Sequence, residues 1–231
     1  MSDQDKKGKD PRCAECAHPS WERHCMHEEG KAGPACPTVG NQELLAKANR
    51  EYDDPELKEF ARLASLQESE CYLNRDQKPY FLQPSKTRVQ EIIEFAKKLG
   101  SPKVGLAFCV GLRKEAEITA RIFKAHGLDV VSAVCKSGRT SKDTLGLAKE
   151  DTIFLDEKEA MCNPVYQAEL LNQAGTGLNV LLGLCVGHDS MFFKYSQAPA
   201  TVLAVKDRVT GHNPLAPIYL AESYYPKLLN P

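Results

Sequence analysis

The chain has 231 residues, 42% of them hydrophobic, and 30 basic residues stand against 31 acidic ones for a formal charge of −1 at pH 7. That size suits one large α/β domain with a small appendage. The balanced charge signals no nucleic-acid or other polyanion partner. No apolar run approaches the ~18–20 residues of a membrane span.

Residues 1–12 are polar and charged, with no hydrophobic region of the secretory kind, and are expected to form a disordered lead-in to a cytoplasmic protein. In a reducing cytosol the nine cysteines are then metal ligands, catalytic groups or buried core residues rather than a disulfide scaffold.

Four of them fall in residues 13–40, a glycine- and proline-punctuated segment without hydrophobic periodicity. A segment this small needs a staple to hold one shape. Cys13 and Cys16 form a C-x2-C chelating pair, and Cys25 and Cys36 can complete a tetrahedral thiolate site. His18, His24 and His27 are spare imidazoles that could replace a thiolate or orient one. Zinc is the first expectation. An iron–sulfur cluster is the alternative, because Cys36-Pro37 resembles the end of some cluster-binding runs.

Residues 41–100 read as a helical linker packed on the main domain. Helical spacing runs over Gln42–Arg50 and again from Glu56 to about Leu73, where Leu57, Phe60, Ala61 and Ala64 share a face. Cys71 continues that face as a small buried hydrophobe. Ser85 is the expected N-cap of a helix carrying Val89, Ile92, Ile93, Ala96 and Leu99, closed by Gly100.

From residue 101 to 231 strands and helices alternate. Val104–Phe108, Leu128–Val134, Leu178–Leu184 and Thr201–Val205 are short apolar strands. Helices are expected over Arg113–Ala125 and from Asn163-Pro164 to Gly175. A further one opens near His188, and Asn213-Pro214 starts a last short one. Val- and Leu-rich strands followed by crossovers imply a mostly parallel sheet with helices on both faces. Right-handed crossovers give strand order 2-1-3-4. The expected fold class is therefore α/β, a Rossmann-like three-layer domain preceded by the four-cysteine segment and the helical linker.

Ala107-Phe-Cys-Val-Gly-Leu-Arg113, Met161-Cys-Asn-Pro164, Leu184-Cys-Val-Gly-His-Asp-Ser190, and Lys206-Asp-Arg208 through Gly211-His-Asn-Pro214 together resemble a prokaryotic family of uncharacterised proteins. With the N-terminal cysteines, the resemblance covers nearly the whole chain after residue 12. It implies metal binding, ascribed to that family because of its cysteines, and no particular reaction.

Independently of that resemblance, the cysteines of the main domain fall at the edge where ligands bind in open parallel sheets, outside the carboxyl ends of the strands. Cys109 and Cys185 each end a strand in a Cys-Val-Gly corner that turns into a helix, a setting that favours thiolate. They are the expected catalytic thiols, with His188 as proton carrier and Asp189 orienting it. Cys135, Cys162, Lys206, Asp207, Arg208, His212 and Asn213 are the expected cofactor- or ligand-binding residues, suited to a soft metal, an iron–sulfur cluster or a small anionic ligand. No dinucleotide fingerprint, phosphate-binding loop or nucleophile-elbow serine is present.

Three functions compete. The chain is a metalloprotein with a thiolate- or cluster-based redox site, a non-catalytic store or sensor of a metal or small ligand, or a protein whose N-terminal knuckle alone binds metal as a structural or docking module.

Overall fold

A computed structural model describes residues 10–79, 81–155 and 158–231. The first nine residues of the expected lead-in lie outside the described residues. The chain divides into two compact units, 1–65 and 66–231. The division falls within residues 41–100. The reason lies in the side chains: α1 (Pro37–Gly40) and α2 (Gln42–Glu51) bury none, whereas the helix over Arg88–Lys98 buries Ile92, Ile93 and Ala96 in the main core.

The first unit opens with single 3-10 turns at Cys13–Glu15 and Ser20–Glu22. A backbone bridge between Arg23 and Lys31 closes the loop that holds Cys25. Gly30 fits there because a β-carbon would meet the Arg23 carbonyl at 2.4 Å.

In the second unit, the end of α3 (Pro55–Ser69) supplies Gln67 and Glu70 to an ion-pair network. Lys98 reaches Glu70 at 2.7 Å and Lys86 reaches Glu94 at 2.6 Å. Gln67 accepts from Lys98 and donates to Glu94. Cys71 is buried as expected, and its thiol donates to the Gln67 carbonyl. A short antiparallel pair, β1 (Tyr72–Leu73) and β2 (Gln83–Pro84), follows. Helix α4 (Arg88–Lys98) is capped by Thr87 rather than Ser85, through a reciprocal box with Gln90. Ser85 is instead bound to the Cys71 carbonyl through both its N–H and its hydroxyl.

The main sheet is wholly parallel, in the order β4-β3-β5-β6. Its strands are β3 (Lys103–Phe108), β4 (Asp129–Val134), β5 (Leu178–Leu184) and β6 (Ala200–Val205). This is the expected 2-1-3-4 order. Helix α5 (Arg113–Ala125) joins β3 to β4, α6 (Pro164–Ala174) joins β4 to β5, and α7 (His188–Tyr195) joins β5 to β6.

Right-handed crossovers put α5 on one face and α6 with α7 on the other. All seven residues of β5 are buried, as a strand covered on both faces must be. The order in which strands are added reverses between β3 and β5, so the topological switch point lies beside Cys109 and Cys185. Near its end β5 bulges at Gly183, whose φ is +68° and whose missing β-carbon leaves room for Leu112. Beyond β6 come the four-residue helix α8 (Ala216–Tyr219) and a 3-10 turn at Pro226–Leu228.

Candidate thiol centre at the strand ends

Each strand of the sheet delivers one reactive group to the same edge. β3 ends in Cys109, which caps a 3-10 turn at Val110–Leu112 leading into α5. β4 is followed at once by Cys135, and Cys162 stands just before Asn163, the N-cap of α6 whose side chain accepts from the Tyr166 N–H at 2.9 Å. The chain is tied back across the intervening loop by the Asn163 N–H, which donates to the Cys135 carbonyl at 2.7 Å. β5 ends in Cys185, whose carbonyl accepts from the N–H groups of His188 and Asp189 in the turn opening α7.

Three of these thiols influence one another's acidity. Cys135 neighbours both Cys109 and Cys162, and its sulfur accepts the Val110 N–H at 3.3 Å. Cys109 is held down to about 5, first by the Cys135 thiol, then by the Gly111 N–H and Lys206, against the upward pull of burial. Cys162 is held down to about 6, again first by Cys135, with help from Lys136 and His188. Cys135 is pushed far above its ordinary value by both neighbours and by burial. A thiol that shares its proton between two flanking thiolates must show this pattern, and the three titrate as a unit.

Cations complete the crevice. Lys206 Nζ lies 3.6 Å from where a β-carbon on Gly111 would stand, and Cys109 Sγ lies 3.9 Å from the same point. Position 111 thus lies in van der Waals reach of both the ammonium and the sulfur. Arg208 donates to Cys185 Sγ at 3.2 Å. Its guanidinium is held above its ordinary value first by Cys185, and also by Cys109 and Cys162. Lys136 is shared with the buried Glu159 at 3.7 Å, which Lys142 also meets at 2.8 Å.

Not every expected residue joins this group. Asp207 turns its carboxylate back on its own loop, accepting the N–H groups of Val209 and Thr210. His212 Nδ1 accepts the Asp207 N–H at 3.1 Å, and the Asn213 carbonyl accepts from the Thr210 hydroxyl. These three residues shape the loop that presents Lys206 and Arg208. Asp189 accepts the neighbouring Ser190 N–H.

Gln167, a residue with no role in the sequence reading, is fully buried beneath the thiols. It donates to the carbonyls of Phe108 and Ala133 at 3.2 and 2.7 Å, tying the ends of β3 and β4 together. Its only signal was a polar residue on the otherwise apolar inner face of α6.

In the first unit, Cys13, Cys16, Cys25 and Cys36 line a single cavity of about 320 Å³, with His18 and His24 on its wall. Burial pushes the Cys36 thiol up, but the Thr38 hydroxyl and the N–H groups of Thr38 and Val39 outweigh it and hold the thiol below its ordinary value. Among the described residues no three of these donors are already gathered as a metal ion would gather them. The four cysteines line one cavity, and their donor type, though not a gathered geometry, is that of a tetrahedral thiophilic site.

Fold and site together define a Rossmann-like α/β protein with a thiol centre at its topological switch point and a separate four-cysteine unit. The chain belongs to a family of unknown function: residues 36–203 match the one described as Protein of unknown function (DUF1847). It is 43% identical over 188 residues to Uncharacterized protein MJ0455 of Methanocaldococcus jannaschii, covering 81% of this chain and 89% of that one. The matched span 36–203 includes all four strand-end cysteines. Among the described residues no helix is long and apolar enough to cross a membrane.

Proposed function

We propose that this chain is a cytoplasmic metal-binding thiol protein. Its N-terminal cysteines hold a zinc ion, and its strand-end cysteines form a thiolate redox centre. The observation that carries the reading is the placement of Cys109, Cys135 and Cys162 at one edge of the sheet, where the flanking thiols hold each other's acidity apart, Cys109 and Cys162 down and Cys135 up.

That set has the parts of a two-electron exchange. The Cys109 thiolate attacks one sulfur of a disulfide substrate; the S–S bond breaks, one thiolate leaves, and a mixed disulfide forms on Cys109. The hydrogen bond from Cys135 to the Cys109 thiolate is the largest cause holding the Cys135 proton, and it ends when that thiolate is consumed. Cys135 then passes its proton to the Cys162 thiolate and attacks Cys109 Sγ, which expels the second substrate thiolate. The substrate disulfide is reduced to two thiols, and the protein is left with a Cys109–Cys135 disulfide for an external thiol to reduce. Zinc, when bound, would clamp the N-terminal loops into one shape through Cys13, Cys16, Cys25 and Cys36.

One feature favours a second reading of the crevice. A fourth thiol, Cys185, shares Arg208 with Cys109 and Cys162, and cysteines gathered at one edge suit an iron–sulfur cluster.

The test is purification without oxygen, followed by quantification of zinc, iron and sulfide per chain and by titration of the thiols. The proposal expects about one zinc, no chromophore, and a disulfide between Cys109 and Cys135 after treatment with a small disulfide. Stoichiometric iron and sulfide lost on Cys109→Ser would replace it with the cluster reading. No fast thiol in the crevice and no cluster would defeat both.

A further inference from the structure

The positive charge around the thiols is unevenly compensated. Lys136, on the Cys162 side, has the Glu159 carboxylate as a partner. On the other side, among the described residues, no carboxylate comes within ion-pair distance of Lys206 or Arg208. Asp207 stands between these two cations in sequence, yet its carboxylate is occupied by the N–H groups of Val209 and Thr210. Arg208 instead donates to Cys185 Sγ, and Lys206 stands beside Cys109, close to the space left by the missing side chains of Gly111 and Gly183.

The rim on this side is also free of bulk. Gly187 has nothing within 4 Å of where a β-carbon would be, and Val186 beside it is 94% exposed. The open rim at the Cys185 corner thus lies next to Arg208, which sits on the Cys185 sulfur.

We infer that the crevice takes a small sulfur compound carrying an anionic group, a carboxylate, sulfonate or phosphate, which Lys206 and Arg208 hold beside the reacting sulfur. This inference rests on the thiolate reading of the crevice and names the substrate class for it. An anion bound there replaces the sulfurs as partner of the two cations when a thiolate is consumed, so the charge of the site stays balanced through the exchange.

Two alkylating probes of the same shape and opposite charge character test it. Iodoacetate and iodoacetamide both lose iodide to an attacking thiolate, and only the first carries a carboxylate. Rates are measured at about pH 6, close to the thiol range of the crevice, and the alkylated residues are located by mass spectrometry. N-acetylcysteine is the reference thiol. At Cys109, Cys162 or Cys185 the iodoacetate-to-iodoacetamide ratio is expected to exceed the reference ratio by about 3- to 10-fold, the effect of one or two cations at roughly 6 Å in a watery crevice. The excess should shrink in Arg208→Gln and Lys206→Gln. In the wild-type protein it should also shrink at about 1 M sodium chloride, where the screening length is about 3 Å; this measurement needs no variant to fold.

A ratio equal to the reference, at cysteines that react fast with iodoacetamide, overturns the anion inference and leaves the thiolate centre standing. Crevice cysteines no faster than N-acetylcysteine with either probe overturn both. An excess that persists in both variants and at high salt also overturns the inference, because its source would not be these charges.

Discussion

The Gln167 side chain donates to the Ala133 carbonyl at 2.7 Å, two residues before Cys135, and the same amide nitrogen reaches the Phe108 carbonyl, one residue before Cys109. The Phe108 carbonyl also accepts the Cys135 N–H at 2.9 Å. One buried amide on α6 thus sets the spacing of two thiols on neighbouring strands.

Replacing it by leucine removes two buried hydrogen bonds at nearly constant volume, which should lower unfolding stability by about 1–3 kcal/mol. Because the strand ends would relax together, the Cys109 thiol should also move up toward its ordinary value. Urea unfolding and thiolate absorbance against pH check the two effects. A stability loss with an unchanged thiol titration would make Gln167 a packing residue only.

Much of this architecture was legible in the sequence, and for a physical reason. Parallel strands buried on both faces must be continuously apolar, so β3 and β5 stood out, and crossover handedness then left few strand orders. The clustering of Cys109, Cys135, Cys162 and Cys185 followed, because residues just after parallel strands share one edge whatever the side chains between them. Contacts decided by three-dimensional fit were not legible. Asn179 sits fully buried at the second position of β5 because Gly105 on β3 makes room for its amide, whose oxygen is 2.0 Å from where a Gly105 β-carbon would be. The roles of Asp207 and His212 also needed the loop: their spacing suited a ligand site as well as the turn they form. Thr87 displaced Ser85 as helix cap because Cys71, distant in sequence, already binds Ser85.

The shared proton of Cys135 makes a sharper prediction. Without that donor Cys109 loses the largest influence that lowers its pKa. In Cys135→Ala, the rate of Cys109 with a neutral alkylating reagent at about pH 6 should fall roughly tenfold, as its thiolate fraction drops. Cys135→Ser, which keeps a hydroxyl donor, should recover part of the rate. Equal rates in both variants would mean that the hydrogen bond does not set the acidity.

Stability should depend on pH through the same thiols. Cys109 and Cys162 lose their protons near 5 and 6 in the folded protein, against an ordinary value of 9.0. Between those values the unfolded chain binds more protons, so stability rises with pH. Their contribution is complete above about 9.0 and is lost as pH falls through 6 and then 5. Cys135 has the opposite sign: its raised pKa contributes below 9.0 and is lost as pH rises beyond it. Under reducing conditions, urea unfolding of the wild type should therefore gain stability from pH 5 to 9 relative to a Cys109→Ser, Cys162→Ser double variant. Parallel curves for the two proteins would refute the assignment.

The N-terminal unit offers a test that leaves every sulfur in place. Gly30 lies against the backbone of Arg23 and His24, and a β-carbon there would meet the Arg23 carbonyl carbon and oxygen at 2.4 Å and the His24 nitrogen at 2.5 Å. Those atoms are main chain, so they cannot swing aside as a side-chain tip would. The same stretch carries the His24 N–H to Lys31 carbonyl bond at 3.0 Å and leads directly into Cys25. Gly30→Ala should therefore open the loop, at an overpacking cost of about 1–3 kcal/mol. If the four cysteines hold zinc, that cost appears as weaker zinc binding, roughly 5- to 150-fold at fixed pH by competition with a chromogenic chelator. Cys25→Ser should lose zinc more completely, because it removes a ligand instead of displacing one. Wild-type zinc content in Cys25→Ser would place the metal elsewhere, and wild-type affinity in Gly30→Ala would show that the loop does not shape the site.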